Sequence, residues 1–219
     1  MRVVGARMSS TVGTTWAVRF RASGLFAFVL FGAIWAMTAS SYLSPPGAVL
    51  IRVLGLGISG LLAAMAVASV VRSKRLAGTD GPIEEARERR FFVNTAVEVV
   101  VLLVSYTALR AAGQPVMIAP VSELIVGLHF LRLAGLLGVD SYRATGSALC
   151  VTVAMGTIAV IAVPSLTAPI PMVAVMSLAA AWILWISGLV GVWQVYRATA
   201  GARAMGVVDL LPGHTGYRV

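Results

Sequence analysis

Long apolar runs broken by short polar links organise this chain. The runs fall at Gly24–Tyr42, Val49–Val71, Phe91–Ala111, Met117–Gly138, Ser147–Val163 and Met172–Tyr196. Each is near the ~20 residues that an α-helix needs to cross the hydrocarbon of a bilayer. The pattern predicts an all-α, polytopic transmembrane bundle of about six helices. Alternate links are tight and turn-like: Leu43 to Gly47 with Pro45 and Pro46, Ala112 to Pro115, and Pro164 to Pro171. Proline and glycine interrupt helices at little cost in such places. Short links between long helices imply antiparallel hairpins packed side by side.

The remaining links are polar and divide the chain into a basic tail (1–23), a transmembrane domain (24–196) containing a loop at 72–90, and a C-terminal tail (197–219). Within the loop, Asp80, Gly81 and Pro82 followed by Glu84 and Glu85 read as a helix start with acids in its first turn. Glu85 and Arg89 are an attractive i,i+4 pair, and Glu84 and Glu88 a repulsive one. The third helix is expected to begin near Pro82, in water, and to run unbroken into the membrane. The N-terminal tail carries Arg2, Arg7, Arg19 and Arg21 and no acid. It fits a cytoplasmic tail as well as a transit peptide, and either Met1 or Met8 serves as a start. Thr38-Ala39-Ser40 loosely resembles a signal-cleavage site, but the tail and apolar stretch before it are long for a signal peptide, so the first span is expected to stay uncleaved.

Charge gives the spans a direction. Beyond the N-terminal tail, Arg72, Lys74, Arg75, Arg87, Arg89 and Arg90 lie between spans two and three, Arg143 between four and five, and Arg197, Arg203 and Arg218 after the last. The alternate links hold no Lys or Arg. The positive-inside rule then places both termini in the cytoplasm.

Composition agrees with this picture. Of 219 residues, 59% are hydrophobic and 11% charged, with mean hydropathy +0.92, whereas soluble domains carry roughly 25% charged residues. The net charge of +9 follows from membrane-flanking arginines and their attraction to anionic headgroups, so no nucleic-acid partner is expected. Cys150 is the sole cysteine, which excludes a disulfide framework and a cysteine-based metal site.

Ionisable and amide groups inside the spans are the candidate chemistry, because each costs at least a few kcal/mol in hydrocarbon and usually faces the bundle interior. At ~1.5 Å rise per residue they sort into two layers. Asn94 and Glu98 lie about 5 and 10 Å below the cytoplasmic end of span three, and Arg132 and His129 roughly 9 and 13 Å below that of span four. Asn94 and Glu98 share a helix face at i,i+4, as do His129 and Arg132 at i,i+3. A Glu98–Arg132 or Glu98–His129 contact is therefore expected between the third and fourth helices. Histidine titrates near neutrality, which suits His129 to a protonation switch. In the outer layer, Glu123 is placed to neutralise Arg52 or Arg110, with snorkelling to the interface as the alternative for Arg110.

Other motifs carry less. Gly55-Leu56-Gly57-Ile58-Ser59-Gly60 matches a dinucleotide fingerprint, but that motif needs a preceding strand; within an apolar span such residues let helices approach closely, as do Ser59/Ala63 and Ser187/Gly191. There is no HExxH, GxSxG or P-loop, and the histidines are His129 and His214 alone. No catalytic residue, metal or cofactor is assigned, and the expectation is a protein that is not an enzyme. Trp182 and Trp185 read as packing, and Trp193 and Tyr196 as an inner aromatic belt.

The stretch Glu123 to Ala134, ELIVGLHFLRLA, followed by SYRATG at Ser141 to Gly146, resembles a pattern in small multi-pass bacterial membrane proteins of uncharacterised activity. There a VGLHFLxLA-type segment precedes an aromatic-rich YxxTG helix start. The resemblance implies a bacterial inner-membrane protein in which Glu123, Gly127, His129 and Phe130 belong to the shared motif. Arg132 stands where the pattern has proline, so its kink is expected to be missing.

Two functional classes stay open. One is a transport-like or sensory protein using Asn94, Glu98, His129 and Arg132. The other is a structural or interaction subunit whose polar groups only orient helices. Membrane lipids, and a second copy met through small-residue faces, are the partners expected.

Overall fold

In hydrocarbon a chain can satisfy its backbone polar groups only through helices or closed barrels, and among the described residues every regular element is helical. The computed structural model describes residue 22 and residues 24–74, 82–162 and 169–204. The helices are α1 (Gly24–Ser40), α2 (Pro45–Lys74), α3 (Pro82–Ala111), α4 (Ile118–Leu137), α5 (Asp140–Ala162) and α6 (Pro169–Ala204). Helices α2 to α6 are each long and apolar enough to cross a membrane, while α1 is shorter, about 25 Å by its rise. The chain is an all-α, multi-pass membrane bundle.

Several boundaries differ from the hydropathy reading. Helix α2 starts at Pro45 rather than Val49, because proline needs no donor in a first turn. Helix α5 starts at Asp140 rather than Ser147: α4 closes on Gly138 in the left-handed conformation (φ 65°), and the chain turns at once into a polar first turn. Helix α6 continues to Ala204, past the expected end at Tyr196. Helix α3 does begin at Pro82. The side chains of Glu84 and Glu85, and residues 1–21 and 205–219 of the tails, lie outside the described residues.

Neighbouring helices alternate in direction. Arg52 on α2 reaches Ser40 on α1, Gly127 on α4 faces Gly146 on α5, and Thr145 on α5 meets Ser187 on α6. At one end, the Arg72 guanidinium lies 3.9 Å from the Tyr196 ring and that of Arg197 4.3 Å from Trp193.

The core sits where α1, α2, α4 and α5 surround α6. Phe28 of α1 stacks on Phe130 of α4, with centroids 5.0 Å apart, and both rings flank Tyr142 of α5. Trp185, 3% exposed, donates its indole N–H to Ser59 Oγ at 3.1 Å. Thr145 Oγ1 lies 2.7 Å from Ser187 Oγ, which donates to the Ile183 carbonyl. Small residues set the closest approaches: a Cβ on Gly146 would sit 2.6 Å from the Gly127 carbonyl oxygen, and one on Gly32 2.5 Å from Trp185 Nε1. The two segments that carry the sequence resemblance thus meet face to face at Gly127 and Gly146. Gly55 packs on Ala36 while Gly57 and Gly60 face open space, all inside α2. Trp182, unlike Trp185, is half exposed.

Helix α3 stands apart. It leans on α4 and the turn before it, and only 6% of its spanning window is buried.

Candidate functional site

The seam between α3 and α4 gathers the inner-layer residues. Because the helices are antiparallel, Asn94 and Glu98, one turn apart on α3, both face His129 on α4. Glu98 Oε2 lies 3.2 Å from His129 Nδ1, and Asn94 Nδ2 lies 3.1 Å from the same nitrogen. Glu98 is buried and its Oε1 has no hydrogen-bond partner among the described residues. His129 rests edge-on against Phe130, which ties the ring to the aromatic core.

One imidazole nitrogen facing a carboxyl and an amide allows two self-consistent proton arrangements. With Nδ1 protonated, it donates to the Glu98 carboxylate, and the Asn94 amide turned by a half rotation presents its oxygen. With Nδ1 bare, its single lone pair accepts from a protonated Glu98 or from the Asn94 amide, one at a time. With the imidazole neutral in both, the ring proton on Nδ1 in the first and on Nε2 in the second, the arrangement with protonated Glu98 holds one proton more at the same heavy-atom positions.

The pair forms part of the wall of a cavity of about 170 Å³ lined by Asn94, Val97, Glu98, Val101, Ile125, Leu128, His129 and Arg132. Arg132 therefore shares the cavity, but it is exposed and makes no ion pair with Glu98; of the two contacts expected for Glu98, the structure makes the one to His129.

The outer-layer ion pair is not formed. Depth gave Arg52, Arg110 and Glu123 comparable levels but not their rotation about each helix axis. Arg52 points to α1 and donates from Nε to Ser40 Oγ at 3.0 Å. Arg110 is exposed and donates to the Tyr106 hydroxyl at 2.9 Å, one turn back on α3. Glu123 lies on the opposite face of α4 with Ala119, Val126, Gly127 and Phe130, 1% exposed, and its Oε1 has no partner among the described residues.

Ser59, Trp185, Thr145 and Ser187 form the polar contacts of the core. Their small-residue spacing marked Ser59 and Ser187 as interface residues, but hydrogen bonding across helices left no signal in the sequence. Among the described residues no group of three His, Cys, Asp or Glu side chains is placed to hold a metal ion.

No protein-family model matches this chain, and neither a curated protein nor a solved structure is detectably similar to it.

Proposed function

We propose that this chain is a proton-responsive membrane protein, transport-like or sensory, working through Glu98, His129 and Asn94 with Arg132 at the mouth of their cavity. The observation that carries the reading is the shared His129 Nδ1, faced by Glu98 and Asn94 at a cavity wall. Two proton arrangements of similar geometry are what a switch or a proton-coupled step needs. Helix orientation elsewhere is handled by neutral pairs, Ser59 with Trp185 and Thr145 with Ser187, so an ionisable cluster is not required for that purpose. The proposed membrane is a bacterial plasma (inner) membrane, with the arginine-bearing end and both termini in the cytoplasm; the charge asymmetry and the VGLHFLxLA-like segment support this.

Proton or small-ion flux in proteoliposomes tests the reading. Flux should depend on pH, and the pH dependence should vanish in His129→Ala and Glu98→Gln. If both variants keep the wild-type flux profile and lose only thermal stability, the cluster is structural.

A second reading, an interaction subunit, is favoured by the slight burial of α3 and by the open small-residue face at Gly57 and Gly60. Under it, a partner helix or a second copy covers those faces, and crosslinking in native membranes gives discrete adducts that the flux variants do not alter.

A further inference from the structure

Toward the arginine-bearing end, the α3–α4 seam widens into a groove of about 790 Å³. It is lined by Arg89, Arg90, Asn94 and Arg132, with Val93, Val97 and Leu136 among its apolar walls. We infer that this groove binds the phosphate headgroup of an anionic phospholipid, with an acyl chain lying along the apolar side of the seam. The inference does not depend on whether the Glu98–His129 pair moves protons.

Three observations carry it. The first is charge at the right depth. The spanning part of α3 opens at Glu88, so Arg89 and Arg90 lie at headgroup level, and Arg132 is about 8 Å from the end of α4 by helix rise. Guanidinium forks match phosphate oxygens in pairs, and basic pockets between helices at an anionic leaflet select acidic headgroups. The second is availability. All three arginines are exposed, and among the described side chains none has a carboxylate within ion-pair distance. Glu85, the i,i+4 neighbour of Arg89, lies outside those side chains, so availability rests on Arg90 and Arg132. The one buried acid nearby, Glu98, faces His129. The third is shape. The volume lies in the 300–1,000 Å³ range of small-molecule sites. Inward of the arginines, Val93 and Val97 lead on to Val101 and Leu128 of the adjoining cavity. Because α3 has no helix on its outer side among the described residues, the groove opens sideways into lipid. A soluble anion would use the charge and leave that apolar floor empty, so the occupant is the lipid.

Purified full-length protein titrated with dioleoylphosphatidylglycerol or dioleoylphosphatidylcholine, and followed by native mass spectrometry, tests this. The glycerol lipid should be retained preferentially. Arg89→Gln, Arg90→Gln and Arg132→Gln should each weaken its retention about fivefold, relative to the choline lipid. Arg143→Gln, at the same end but outside the groove, should leave it unchanged. Val93→Asn/Val97→Asn should also reduce lipid retention. Should a glutamine variant fail to fold, Arg90→Lys/Arg132→Lys keeps the charge, loses the fork and should weaken retention to a smaller degree. Equal retention of both lipids, an equal loss in Arg143→Gln, or full displacement by millimolar inorganic phosphate would each overturn the proposal, the last by showing a soluble-anion site.

Discussion

Replacing Gly146 with alanine probes a helix contact in which the glycine faces the backbone of its neighbour. The new Cβ would stand 2.6 Å from the Gly127 carbonyl oxygen and 2.8 Å from the Leu131 amide nitrogen. Ordinary contact begins at 3.4 Å, so α4 and α5 must part by 3.4 − 2.6 = 0.8 Å at the crossing. The obstructing atoms are backbone and cannot rotate away. A gap of 0.5–1 Å already forfeits a quarter to a half of each dispersion contact along the seam. In lipid, helix association rests on packing rather than on the hydrophobic effect, so little offsets the loss. Overpacking of a tight core typically costs 1–3 kcal/mol, and the backbone clash places Gly146→Ala at about 2–3 kcal/mol. The measurement is unfolding by sodium dodecyl sulfate titration from mild detergent, read by tryptophan fluorescence. Gly57→Ala is the control: a Cβ there meets nothing within 4 Å, and the gain in helix propensity should leave it neutral or up to ~1 kcal/mol more stable. If Gly146→Ala unfolds at the same point as Gly57→Ala, the close α4–α5 crossing is refuted.

Other expectations follow from the same packing and topology. Ser59→Ala leaves the buried Trp185 indole N–H without its acceptor and should cost about 1 kcal/mol or more. The Ser59→Ala/Trp185→Phe cycle should return a coupling near ~0.6 kcal/mol, typical of hydrogen bonds between membrane helices; zero coupling would remove the bond from the account. In a Cys150→Ala background, a cysteine replacing Ser41 should react with impermeant maleimide on intact cells, whereas one replacing Gly201 should react only after permeabilisation. The reverse pattern would invert the proposed orientation.

What the sequence disclosed depended on which coordinate a residue pattern encodes. Hydropathy located the apolar cores of α2 through α6, because length and polarity are one-dimensional quantities. It missed the start of α5 by seven residues, 140 against 147, since a helix can begin in water before its apolar part begins. Depth, computed from helix rise, was enough to bring Glu98 and His129 together, because the two lie on adjacent antiparallel helices. The same reasoning failed for Arg52 and Glu123. Their levels agree, but α2 and α4 turn those side chains toward different neighbours, and rotation about an axis is fixed by packing that the sequence does not spell out. The small residues at Gly127 and Gly146 were visible as motif positions, yet only the crossing geometry explains why a side chain cannot be added there.

The solitary position of α3 has a thermodynamic consequence. Glu98, Asn94, Arg89 and Arg90 ride on α3, while His129 and Arg132 belong to α4, so one seam carries both the Glu98–His129 contact and the arginine groove. A ligand that binds only the closed seam stabilises every contact along it, and whatever protonation state favours closure must in turn tighten that ligand by the same factor. Separating the helices undoes both sites in a single step. The helix with the least buried spanning segment is thereby the one on which two binding equilibria, if both proposals hold, would share a common free energy.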